Sequence, residues 1–144
     1  MKKVILVGIG NQSMGDDAAG LMVVERLSDS FKTLKITADP LNHVDGLCGS
    51  DVVVIVDAAD FGGKPGEFRI IEESEIDGST LSSHSLPLSM FVHLLKKCVN
   101  KVTVWGIQVK SLKPGEAVSP EVVSGIDKLS KTIKGMYGFY MQMR

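Results

Sequence analysis

With 44% hydrophobic and 23% charged residues, a chain of 144 residues has the material for one sizeable core and reads as a single domain over 1–144. Sixteen basic and seventeen acidic residues leave a formal net charge of −1, and no basic run stands out, which argues against nucleic acid or a polybasic membrane patch as partner. The longest apolar runs, such as 52–56, are far too short to span a bilayer, so a cytoplasmic protein without membrane contact is expected.

The first predicted element is a strand over 4–9, VILVGI, whose unbroken apolar run suits a strand covered on both faces. The opening MKKVILVGIGN has the charged start of a signal peptide, but its apolar part is short and an acidic pair stands where a cleavage site would be. From residue 18 to about 30, Leu21, Val24, Leu27 and Phe31 recur three and four apart, which predicts a helix. A short strand over 33–37 follows. Residues 38–50, ADPLNHVDGLCGS, are rich in turn formers and predict only a brief helical turn. VVVIV at 52–56 is a second fully apolar strand, ending at Asp57.

GGKPG at 62–66 reads as a turn, and EFRII from 67 as a further strand. Polar residues fill 72–83. A helix is predicted from near Ser85, with Ser85 as cap, Pro87 in the first turn and an apolar stripe of Phe91, Leu94, Leu95 and Cys98. VTVWGIQV at 102–109 is the last strand. Ser119 and Pro120 open a helix whose Val122, Ile126, Leu129 and Ile133 share one face. The tail, MYGFYMQMR, is apolar enough to pack against something. Strands alternating with helices predict an α/β fold, a three-layer α/β/α sandwich with a mostly parallel twisted central sheet. In such sheets ligands bind beyond the carboxyl ends of the strands, which 10–17 and 57–66 leave.

The stretch between the first strand and helix, GIGNQSMGDD, has glycines at 8, 10 and 15 and a serine where a dinucleotide fingerprint needs its third glycine. Asp16 and Asp17 at the helix start would repel a phosphate that bare N–H groups there would otherwise attract, so nucleotide binding is disfavoured. Two readings of the pair stay open: both cap the helix, or one caps while the other faces the crevice. Asp57 is either a turn former or a carboxylate facing a partner or a cation. His84, in TLSSHSLP, is either a polar loop residue or a ligand; His43 and His93 carry weaker signals. Two carboxylates and one imidazole would make a divalent-metal site suited to zinc, manganese, cobalt or nickel. Cys48 and Cys98 lack CxxC spacing and signal neither a zinc knuckle nor a disulfide framework, so buried free thiols are expected.

Four segments, VGIGNQSMGDDAAG, IVDAADFGGKPGEFRII, SSHSLPLSMFVHLLK and VWGIQVKSLKPGEAVSPEV, together span nearly the whole chain. In this order they resemble the hydrogenase maturation endopeptidases, in particular the type that processes hydrogenase 3-like large subunits. The resemblance implies a phosphorylase/hydrolase-like sandwich and a monomeric endopeptidase. Its substrate would be the precursor of a [NiFe]-hydrogenase large subunit, from which it clips a short C-terminal peptide once nickel is inserted. The family's metal-contacting positions fall on Asp17, Asp57 and His84, with Asp17 and Asp57 as the catalytic carboxylates and Asp16 left to support the loop or the helix start. The metal expected is nickel presented by the precursor, with no organic cofactor. Family members commonly carry an aspartate followed by two glycines after the second strand, whereas this chain has ADPLNHVDG. That departure keeps open a non-catalytic nickel-binding or chaperone module docking on the same precursor.

Overall fold

The apolar run at 4–9 becomes β1 (Val4–Ile9), every residue of it buried, beside an equally buried β3 (Val52–Ala59). The computed structural model describes residues 3–76 and 88–142. β2 (Lys32–Ile36) lies outside β1, β5 (Lys101–Gln108) on the far side of β3, and β4 (Phe68–Ile70) at the opposite edge, giving the strand order β2-β1-β3-β5-β4. All neighbours are parallel except β4, which runs antiparallel to β5. The expected α/β sandwich with a mostly parallel sheet is therefore the fold observed.

Strand alternation sorts the core into two layers. Val52, Val54 and Val56 face α1 (Ala19–Arg26) and α5 (Pro120–Gln142), while Val53, Ile55 and Ala59 face α4 (Leu88–Leu95) and its neighbours. The predicted α5 face, Val122, Ile126, Leu129 and Ile133, is wholly buried against the first layer, each side chain contributing about 1.5–3 kcal/mol. The tail continues α5 as far as Gln142. On the other face lie α2 (Val44–Leu47) and α3 (Glu73–Ile76), and the turn-rich 38–50 segment holds one short 3-10 turn, Pro40–His43, ahead of α2. The predicted cap at Ser85 lies outside the described residues.

Several boundaries differ from the sequence reading. The first helix is shorter and begins as a 3-10 turn, Gly15–Ala18, with α1 ending at Arg26. β3 runs three residues past Val56, because pairing with β5 continues through Asp57, Ala58 and Ala59. Asp57 therefore sits inside the ladder rather than after it.

The cysteines require the largest correction. Cys48, just after α2, and Cys98, just after α4, are disulfide-bonded with Cα atoms 4.9 Å apart, so neither is a free thiol. They are 50 residues apart in sequence, and only the packing of α2 against α4 brings them together. Spacing alone carried no sign of that pairing.

Candidate functional site

The chain leaves β1, forms α1 on one face of the sheet, and enters β2 on the outer side of β1; it then returns by α2 on the other face to β3. The connections thus diverge between β1 and β3, and it is beyond the carboxyl ends of strands that part in this way that open α/β sheets bind their ligands. Asp17 and Asp57 stand at this point, one in the turn after β1 and the other near the end of β3.

Glycines let the backbone close in here. A Cβ on Gly20 would run into the carbonyl oxygens of Val56 and Ile9, so only glycine lets α1 settle directly on β1 and β3. A Cβ on Gly10 would strike the carbonyl oxygen of Asp17, which accepts the Asn11 N–H at 3.3 Å. The Asp17 N–H donates to Met14 at 3.1 Å. These glycines therefore allow close packing around an acidic turn.

The two adjacent aspartates have different surroundings. Asp16 is fully buried, and its Oδ2 accepts the N–H groups of Lys110 (2.8 Å) and Ser111 (2.9 Å) and the hydroxyl of Ser119 (2.9 Å). Its Oδ1 accepts the Ser119 N–H at 2.7 Å. Burial pushes its pKa up, but these hydrogen bonds outweigh burial and hold the carboxyl below its ordinary range. Asp16 thus supports the loop, as the resemblance implied, and what it fastens is the start of α5 rather than its own helix. Ser119 opens α5 through its carbonyl, which accepts the Val123 N–H at 2.9 Å.

Asp17 is half-buried, whereas Asp57 is fully buried and opposite Gly106 of β5. By alternation Asp57 shares the sheet face of Val53 and Ile55, the face covered by α4. A carboxylate buried there demands compensation from donors, a cation or a proton. His84 precedes α4 in sequence and lies outside the described residues. Among the described residues no three His, Cys, Asp or Glu side chains gather into a complete ligand set. The oxygen donors present, Asp17 and Asp57, suit a hard or borderline divalent ion. His43 is half-buried in the 3-10 turn before α2, and His93 is exposed on α4, so both keep the plain reading. In the departing segment, Asp39 holds a left-handed conformation, φ 51°, immediately before Pro40.

Sequence reasoning missed Gln108. It is buried at the end of β5, where its Oε1 accepts the N–H groups of Phe61 (2.9 Å) and Gly63 (3.2 Å). Its Nε2 donates to Asp60 Oδ1 (3.2 Å) and to the Val109 carbonyl (3.1 Å). The available signal was an amide closing a largely apolar strand, VTVWGIQ. A groove of about 840 Å³ lies apart from the aspartates, between Lys64–Phe68 and the first turns of α5.

Comparison with known proteins bears on the family and the fold. The family profile described as "HycI: Hydrogenase maturation protease" matches residues 22–136. A Methanocaldococcus jannaschii protein assigned to the hydrogenase maturation proteases is 35% identical, over 92% of this chain and 86% of its own. The hydrogenase 3 maturation protease of Escherichia coli K12 is 32% identical over 72% of this chain and 71% of its own. The crystal structure of a [NiFe] hydrogenase maturation protease HycI from Thermococcus kodakarensis superposes with a TM-score of 0.81 at 31% identity, covering 94% of this chain and 92% of that one. The solution structure of the Escherichia coli endopeptidase HycI also gives 0.81, at 25% identity over 92% and 90%. With a profile match over most of its length and the same sheet beneath it, this chain belongs to the hydrogenase maturation protease family.

Proposed function

We propose that this protein is the endopeptidase that removes a short C-terminal peptide from the nickel-loaded precursor of a [NiFe]-hydrogenase large subunit. Beside family membership, what supports this reading is that Asp17 lies in the turn after β1 and Asp57 near the carboxyl end of the adjacent strand β3. Nickel enters as part of the substrate. Asp17, Asp57 and His84 are the residues that would contact it, a mixed oxygen and nitrogen set suited to a borderline divalent ion. Contact with the metal supplies recognition: a precursor without nickel offers these carboxylates nothing to hold.

The hydrolytic step asks for a general base, a role worth about 10²–10⁴-fold. Asp17, half-buried at the crevice rim, is the carboxylate within reach of solvent water. In this reading its Oδ takes the proton as water attacks the scissile carbonyl, and the proton then passes to the departing amide nitrogen. Asp57, buried within the paired strand, would offer its carboxylate to the metal when the precursor brings it. The reading also includes a monomer in the cytoplasm, the compartment in which a precursor would meet it. Among the described residues no helix is long and apolar enough to cross a membrane.

The alternative, a non-catalytic nickel-binding or chaperone module on the same precursor, draws its support from the 38–50 segment. There Asp39 is followed by Pro40 rather than by glycine. Intact-mass measurement on a matched precursor separates the two, with nickel-loaded and nickel-free samples incubated in parallel. Loss of a discrete C-terminal fragment only in the loaded sample is expected. An unchanged mass in a correctly loaded sample overturns the protease reading and favours the module.

A further inference from the structure

Regular structure stops at Gln108, the last residue of β5, yet the backbone N–H groups of the next three residues all have partners. The Val109 N–H donates to the Ala59 carbonyl at 3.0 Å, two residues beyond Asp57. The Gln108 carboxamide fastens 60–63, the loop that follows, through three hydrogen bonds of 2.9–3.2 Å. Lys110 and Ser111 direct their N–H groups to the Asp16 carboxylate, and the Ser111 carbonyl accepts the Asp16 N–H at 2.9 Å. One strip of four residues, 108–111, thus grips the chain on both sides of the crevice. On one side it holds the residue next to Asp17, and on the other the end of the strand that carries Asp57.

We propose that Asp16 and Gln108 are positioning residues, and that the 108–111 strip they engage sets the separation between the Asp17 and Asp57 carboxylates. The proposal rests on the protease reading above. Asp16 and Gln108 have their hydrogen-bonding capacity taken up by this chain, so neither is offered to a substrate. Their effect reaches the reaction only through geometry. Such geometry matters because misplacing a catalytic group by about 1 Å can cost on the order of 10²-fold in rate. Three to four charge-assisted or buried bonds at each end resist that displacement better than an unbraced loop would.

The swap Asp16→Asn puts an amide N–H against a donor that now meets an oxygen. Gln108→Glu keeps the outline but sets an oxygen against Asp60 Oδ1 and the Val109 carbonyl. Ser119→Ala is milder, removing the hydroxyl bond to Asp16 while leaving the Ser119 N–H bond in place. All three are assayed on nickel-loaded precursor at a temperature where circular dichroism shows each protein fully folded, with kcat and KM measured separately.

Asp16→Asn and Gln108→Glu are each expected to lower kcat by about 10- to 100-fold with KM little changed, and Ser119→Ala by a few-fold. Adding Asp60→Asn to Gln108→Glu restores a donor–acceptor pair with its direction reversed, and should recover part of the lost kcat. Unchanged kcat in the folded variants overturns the proposal, as does a rise in KM alone. Should Asp16→Asn fail to fold, Ser119→Ala and the Gln108 pair carry the test. A wild-type protein that cuts no loaded precursor removes the protease reading and this inference together. Wild-type cutting matched by its variants removes only the inference.

Discussion

The Asp16 carboxylate accepts both the backbone N–H and the side-chain hydroxyl of Ser119, a residue 103 positions further along the chain. That contact joins the turn after the first strand to the start of the last helix. It also separates the roles of two neighbouring aspartates. Asp16 belongs to the framework, whereas Asp17 beside it is half-buried and is the residue that the proposed function places at the site.

Asp17→Asn is therefore expected to reduce processing of a nickel-loaded precursor by at least about 10²-fold, while thermal unfolding shifts little. Intact-mass kinetics and a melting curve on the same preparation check both halves. Equal loss of activity and stability would make Asp17 a structural residue.

Acid should expose the framework role of Asp16. Its folded-state pKa lies below the ordinary carboxylate value, so its contribution to stability is fully present above about pH 4 and is lost as pH falls through the lower folded value. Urea denaturation of wild type and Asp16→Asn should show wild type more stable at neutral pH. The gap should narrow toward pH 3. A gap that widened in acid would contradict the hydrogen-bond account.

Val54 is fully buried in β3, in register with Leu6 of β1 and Thr103 of β5. Val54→Asp would leave an unpaired charge in the middle of the sheet, a loss of about 4–5 kcal/mol or more, comparable with a typical domain's whole stability. The expected result is a protein without a cooperative thermal transition. A folded, active variant would show that the strand does not lie where the structure has it.

Replacing both cysteines by alanine opens a loop of 50 residues and should lower stability by about 4 kcal/mol on the chain-entropy account. Denaturant titration with and without a dithiol reductant gives the same comparison on the native sequence. An unchanged midpoint would mean that the α2–α4 contact holds without the bridge.

What could be read in the sequence was what periodicity and charge express locally. Unbroken apolar runs marked β1 and β3, and the spacing of Val122, Ile126, Leu129 and Ile133 marked the buried face of α5. The acidic pair stood out because its charge was wrong for the loop that held it. Contacts between distant segments left no local trace. Asp16 meets residues 94 to 103 positions away, Gln108 meets a loop 45 to 48 positions back, and the two cysteines are joined only by tertiary packing. The extension of β3 through Asp57 followed from its pairing with β5, which no single-strand pattern displays.

The bridge between Cys48 and Cys98 turns the intervening chain into a closed covalent ring. β3, β4, α3 and α4 lie on that ring, and so do Asp57 and His84, while Asp17 lies outside it. A single backbone cut anywhere in the ring, including the GGKPG turn, would leave the molecule in one piece. Nicked and intact protein would then run together until a reductant parted them.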